Sequence, residues 1–208
     1  MQKIIKREEP KDLYLWRRKN PHGRYCEINS TIRQGIRSAC ITEQYGLCAF
    51  CCAPISDNTC HNAHLLSQDI YPQHSLNWNN IVTSCNQKET CGKHQGTQKI
   101  PVTPLMDECE TEFIFYQSGR IKGLTQRAND TIRILHLDSE RLNNRRKRAI
   151  EYFLYNNEYF PPAEDVQAWD VEILEALIQD CLHVKEGKLA PYSPILVNIC
   201  RHMLQSKK

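Results

Sequence analysis

The stretch that opens with Cys48-Ala49-Phe50-Cys51 and closes with Cys85-Asn86-Gln87-Lys88-Glu89-Thr90-Cys91 decides how this chain is read. Its two pairs of thiols supply four sulfur donors, the number that tetrahedral Zn²⁺ takes in a structural site. The first pair has the two-residue spacing of a metal knuckle. The second is spaced by five residues, a longer loop that still brings both sulfurs to one ion. A structural zinc contributes on the order of 10–16 kcal/mol in small metal-folded peptides, enough to hold together a segment of short strands and turns. Cys52 and Cys60 are spare donors, whereas Cys109, Cys181 and Cys200 read as buried core thiols. The eleven cysteines are odd in number and clustered, in a chain where nothing points to export. Metal ligation is therefore expected ahead of disulfides.

Working outward, the chain has 208 residues, of which 40% are hydrophobic and 25% charged, with a mean hydropathy of -0.59. That balance excludes a disordered tail and a membrane protein. The length suits one domain with a sizeable core, or a smaller core with a partner-binding part. Apolar runs such as Ile173-Leu174 and Pro194 to Val197 are too short to cross a bilayer. The start, Met1-Gln2-Lys3-Ile4-Ile5-Lys6-Arg7, lacks the apolar stretch of a signal peptide, so a cytoplasmic location is expected, with no membrane partner. Charge is uneven: residues 1–40 hold ten Lys and Arg against four Asp and Glu, and residues 150–208 hold five against nine. The basic part suits phosphate and the acidic part does not.

Hydrophobic spacing divides the chain into three parts. Residues 1–46 form a basic segment and a helix, with Ile32, Ile36, Ala39 and Cys40 on one face and Gly46 at its end. Residues 47–125 form the metal-stapled core followed by a hairpin, Glu112–Tyr116 and Ser118–Gly123 joined by a turn. Residues 126–208 are helical: one helix begins near Asp138, with Leu142, Ile150 and Leu154 on one face, a second spans Val166–His183, and a third spans Pro194–Leu204. The fold class is α+β, a cysteine-stapled core flanked by N-terminal and C-terminal helices.

Between the two knuckles lie Cys60-His61-Asn62-Ala63-His64-Leu65-Leu66 and Leu76-Asn77-Trp78-Asn79-Asn80-Ile81-Val82-Thr83-Ser84-Cys85, and the second knuckle runs into Cys91-Gly92-Lys93-His94. This order resembles the HNH, or ββα-metal, nucleases, in which a zinc knuckle brackets a catalytic His, a central Asn and a final His or Asn. Asn80 stands five residues before Cys85, as the central Asn does in many such domains. The resemblance makes His64 the candidate general base, since a neutral imidazole near pH 7 takes a proton from water. It further implies that Asn80 orients that base and that His94 holds one Mg²⁺ or Mn²⁺, which would stabilise charge on the scissile phosphate and leaving oxygen. Residue 63 departs from the pattern: it is Ala where HNH domains commonly carry a second metal ligand. His61, two positions earlier on an extended chain, points to the same side and is either a replacement ligand or a surface His. Asp69 is a weaker substitute.

The likeness reaches further. The opening Met1–Lys6 with Pro10, the Glu43-Gln44-Tyr45-Gly46-Leu47-Cys48 approach and the Trp78 to Cys85 segment are similar to PtuB-type HNH proteins of Septu and retron anti-phage systems. So are Pro104-Leu105 through Phe113 with Gly119, and Thr131–Leu135 before Leu142 and Arg145. The resemblance covers roughly residues 1–155. It implies a defence effector working beside a PtuA-type ATPase of ABC fold, and in retron versions with a reverse transcriptase and its RNA–DNA product. The expected activity is metal-dependent hydrolysis of a phosphodiester in DNA or RNA, tRNA included. The rival reading is a non-catalytic zinc module that binds nucleic acid or scaffolds the ATPase.

The run Arg145-Arg146-Lys147-Arg148 either contacts a phosphate backbone or forms a solvated helix face. Lys3, Lys6, Arg7, Arg17, Arg18 and Lys19 present the same choice. The acidic, amphipathic residues 164–205 either dock a protein partner or complete the core.

Overall fold

The computed structural model describes residues 1–155 and 169–207. Among them are seven α-helices and two small two-stranded antiparallel sheets. The N-terminal part carries α1 (Lys11–Lys19) and α2 (Ser30–Glu43). Asn29 caps α2, its side chain accepting from the Ile32 N–H at 2.9 Å, and Ile32, Ile36 and Cys40 are buried along one side at helical spacing. The chain leaves α2 through Tyr45 and Gly46, both at positive φ, a common way for a helix to stop. The predicted helix and its end are therefore present, while α1 was not foreseen: its single buried apolar residue, Leu13, leaves little periodicity to read.

The central hairpin pairs β1 (Cys60–His64) with β2 (Ile81–Cys85), in register from Cys60 opposite Cys85 to His64 opposite Ile81. Every residue of β2 is buried, so its second edge needs partners. Gln44 supplies them: its amide donates to the Thr83 and Leu47 carbonyls at 2.8 and 2.7 Å and accepts from the Thr83 N–H at 2.7 Å. Helix α2 packs on this hairpin in a small core of Leu13, Ile28, Ile36, Leu76, Trp78 and Ile81. Lys6 threads between them, its ammonium 2.7 Å from Glu43 and 3.2 Å from the centre of the Trp78 ring. Lys6 is thus half-buried and paired, so the phosphate reading does not hold for it.

The short α3 (Gly92–Gln95) follows the second cysteine pair. The predicted hairpin is β3 (Phe113–Phe115) against β4 (Ile121–Gly123), turned at Gly119, where a β-carbon would fall 2.0 Å from the Asn143 carbonyl. Then come α4 (Gln126–Leu135), α5 (Glu140–Tyr155), α6 (Val171–Leu182) and α7 (Ser193–Gln205). The start predicted for the penultimate helix, Val166, lies outside the described residues, and α6 begins behind an Asp170 cap.

Helices α6 and α7 pack together, and α7 seats on β3 through Asn198, which bonds the Phe113 carbonyl and the Phe115 N–H at 2.9 and 3.1 Å. The Tyr192 N–H reaches the Cys52 carbonyl at 3.0 Å, so the C-terminal helices are tied to the cysteine turn itself. One hydrophobic cluster runs from Met1 and Leu47 through Phe113 and Ile150 to Leu177 and Cys200. The apolar faces of α6 and α7 therefore belong to the core. No helix among the described residues is long and apolar enough to cross a membrane.

Candidate metal centre and adjoining groove

Residues 48–53 fold into a tight turn, with the Cys48 N–H on the Ala53 carbonyl at 2.8 Å, the Cys52 N–H on Cys48 at 3.1 Å, and Cys52 at φ 58°. That turn aims Cys48 and Cys51 at Cys85, the last residue of β2, and at Cys91, whose N–H is held by the Leu135 carbonyl at 2.8 Å. All four thiols are buried, and their sulfurs lie within 4.8 Å of one another. Tetrahedral bonds of the length usual for zinc and thiolate set sulfurs about 3.8 Å apart, and the Cys51 and Cys85 sulfurs are 3.9 Å apart. The donor set thus fits a structural zinc. Burial pushes the Cys48 thiol up, but hydrogen bonds from Cys51, Cys85 and Cys91 outweigh it and hold Cys48 well below the usual thiol range. Sharing with Cys48 in turn raises Cys51 and Cys91. The cluster favours a thiolate even before an ion replaces the remaining protons. All eleven cysteines are free of disulfides. The spare donors stand apart from this group: Cys60 donates to the Ser56 carbonyl at 2.9 Å, and Cys52 is buried beside the turn.

Next to the staple, β1, α3 and the loop after His64 enclose an open groove of about 330 Å³, lined by His61, Ala63, His64, Asp69, Lys93 and their neighbours. His64 is buried at the end of β1. Its Nε2 lies 2.8 Å from the Ser75 carbonyl, and its ring meets the edge of Tyr25 at 4.8 Å. A carbonyl only accepts, so Nε2 carries the proton and Nδ1 holds the free lone pair. Burial lowers the proton affinity of His64, with the Ser75 bond opposing, so the ring is neutral near pH 7.

Asn80 fixes the loop that follows. Its Oδ1 accepts from the Leu66 N–H at 2.7 Å, and its Nδ2 donates to the Leu66 and His74 carbonyls, each at 3.1 Å. Its own carbonyl takes the Leu65 N–H at 2.9 Å. From the other side Gln95, buried in α3, donates to the Leu65 carbonyl at 3.0 Å. The structure thus brings His64 and Asn80 together through backbone, since the His74 carbonyl that Asn80 holds belongs to the residue directly before Ser75, whose carbonyl holds the imidazole.

His61 sits on the same strand face as Ala63. Its Nδ1 is 3.1 Å from Asn86 Oδ1, and burial lowers its proton affinity, reinforced by Lys93. That bond leaves Nε2 facing Gly92, 3.2 Å from where a β-carbon would stand. His94 is placed elsewhere. Its Nδ1 bonds the Ile134 carbonyl at 2.9 Å and its ring stacks on His136 at 4.9 Å, so it joins α3 to α4 and does not line the groove. Among the described residues the four cysteines are the one group of three or more His, Cys, Asp or Glu donors close enough to share an ion. Lys93 is the groove cation that sequence reasoning passed over; its place directly after Cys91-Gly92 was the available signal.

The basic run of α5 needs a correction. Arg146 is 1% exposed and its guanidinium bonds backbone carbonyls inside the core, so it cannot meet phosphate. Helical periodicity turns one of four consecutive residues inward. Arg145 is half-buried, Lys147 and Arg148 are exposed, and Lys147 lies 3.6 Å from Glu151. Of the N-terminal basic residues, Lys3 is paired with Asp107 and Arg17 with Glu9.

No known protein family's sequence profile and no curated protein matches the chain.

Proposed function

We propose that this chain is an HNH-class endonuclease of the PtuB type, hydrolysing phosphodiester bonds of DNA or RNA as an effector of anti-phage defence. The observation that carries the reading is the Asn80-clamped loop, which holds Ser75 against His64 Nε2 and leaves Nδ1 as a base beside a buried tetrathiol staple. In this reading the hairpin, the staple and α3 form the ββα-metal core. His64 Nδ1 accepts a proton from the attacking water, and Lys93 offers charge to the phosphate in the groove. A Mg²⁺ or Mn²⁺ ion bound there would stabilise the leaving oxygen. His61 Nε2 is the groove nitrogen best placed to hold it, with Asp69 on the same rim. The partner in this reading is a PtuA-type ATPase, joined in retron versions by a reverse transcriptase and its RNA–DNA product.

A gel assay of the chain, alone and with the ATPase, on plasmid DNA and total tRNA with Mg²⁺ or Mn²⁺ tests the proposal. Cleavage that His64→Ala removes is the expected result. Absence of cleavage in every lane, with zinc bound and the partner present, overturns it.

One observation favours a second reading, a non-catalytic zinc module that binds nucleic acid or scaffolds the ATPase. Ala63 lies against Gly92, so the position where HNH domains commonly carry a second metal ligand supplies no donor side chain. Binding of the same nucleic acids without cleavage is its signature.

A further inference from the structure

Arg146 is a buried cation that none of the steps above uses. It is among the largest fully buried side chains, and no carboxylate pairs with it among the described residues. Its Nη2 donates to the Leu137 carbonyl at 2.7 Å. Its Nη1 donates to the Gly119 carbonyl at 3.1 Å and to Asn143 Oδ1 at 3.2 Å. Nε has no partner, and the guanidinium lies 5.4 Å from the centre of the Phe115 ring. Neutral carbonyls satisfy its donors but leave its charge unbalanced, which is costly in a low-dielectric interior.

The opposite imbalance sits in the same core. Four thiolates around Zn²⁺ carry a net charge of two negatives, and all four cysteines are at most 5% exposed. Burial lowers the proton affinity of Arg146, and the Cys51 and Cys91 thiols, followed by Cys52 and the Tyr192 phenol, oppose that shift. A single turn at the end of α4 holds both parties. The Leu135 carbonyl takes the Cys91 N–H, and two residues on the Leu137 carbonyl takes the guanidinium.

From this placement we infer that Arg146 is the counter-cation of the tetrathiolate zinc centre, so that zinc loading and the docking of α5 support one another. The inference rests on the zinc reading of the four cysteines and is independent of the nuclease reading. A guanidinium suits the position because its planar fork reaches two carbonyls on different segments while its face lies against Phe115.

The test measures Zn²⁺ affinity of the full chain by competition with a chromophoric chelator. Arg146→Met is expected to raise the zinc dissociation constant at least tenfold. In a Cys51→His background, where a neutral imidazole halves the net charge of the centre, the same substitution is expected to cost about threefold, half the effect on a logarithmic scale. Equal losses in the two backgrounds would mean that Arg146 acts by packing alone and would overturn the inference, as would no loss in either. Should Arg146→Met not fold, Arg146→Lys is compared with Arg146→Gln. The lysine variant is expected to keep zinc affinity within about threefold and the glutamine variant to lose tenfold, and equal affinities overturn the inference. A wild-type chain that takes up no zinc would end the zinc reading and this inference together, a result distinct from normal uptake with indifferent variants.

Discussion

Ala63 and Gly92 lie against each other beside the cysteine staple: a β-carbon on Gly92 would stand 3.0 Å from that of Ala63 and 3.2 Å from His61 Nε2. Strand β1 and helix α3 therefore meet where neither Ala63 nor Gly92 offers a donor atom, and His61 of β1 is the side chain that reaches the point. This relationship sets the first expectation. Under the nuclease proposal, with His61 as the remaining donor, His61→Ala should weaken Mn²⁺-dependent cleavage about tenfold or more. Titration of Mn²⁺ against cleavage rate checks this, and an unchanged rate would remove His61 from the site.

Zinc content should be about one ion per chain by elemental analysis. Because Cys48 and Cys85 are buried and share one sulfur cluster, Cys48→Ser together with Cys85→Ser should abolish folding. Far-UV circular dichroism with and without a chelator reads this out. A wild type that is metal-free yet folded would contradict it.

Asn80→Ala strips three side-chain hydrogen bonds from a buried loop and leaves the Leu66 N–H without its acceptor. The expected loss is roughly 2–4 kcal/mol by denaturant unfolding. Under the nuclease proposal cleavage should fall as well, because the loop carrying Ser75 no longer holds the His64 ring.

Burial depresses the folded-state pKa of His64 and of His61 below the ordinary 6.5. Below that value the unfolded chain binds protons that the folded chain resists, so stability is complete above about pH 6.5 and declines as pH falls toward the depressed values. Thermal melts from pH 8 to pH 5 should show this slope, and His64→Gln should flatten it. If hydrolysis uses the neutral ring, activity should remain on its plateau at pH 7.

Removal of residues 164–208 takes away α6 and α7, which fill the main core and hold β3 through Asn198. The truncated chain should be insoluble. Asn198→Ala alone should cost about 2 kcal/mol, since it strands the Phe115 N–H. A soluble truncation that merely failed to bind the proposed ATPase partner would instead make these helices a docking part.

Much of this protein was legible in its residues because the relevant signals are local. The spacing of Ile32, Ile36 and Cys40 marks α2, the Gly119 turn marks the β3–β4 hairpin, and two cysteine pairs announce a four-sulfur centre that folding then assembles. Helix α1 was missed because it is short and buries only Leu13, so little apolar period survives, whereas α4 falls within the part read as helical. The sequence could likewise name His64 and Asn80 by their order and spacing. It could not say that Asn80 acts through the His74 and Leu66 backbone, or that His94 turns toward the Ile134 carbonyl and away from the groove. It could not show Gly92 lying against Ala63, nor Arg146 leaving its basic run for the core. Those outcomes depend on which segments meet, and burial and hydrogen-bond satisfaction settle that over the whole chain: a polar group takes whatever partner the packed interior places beside it, however distant in sequence.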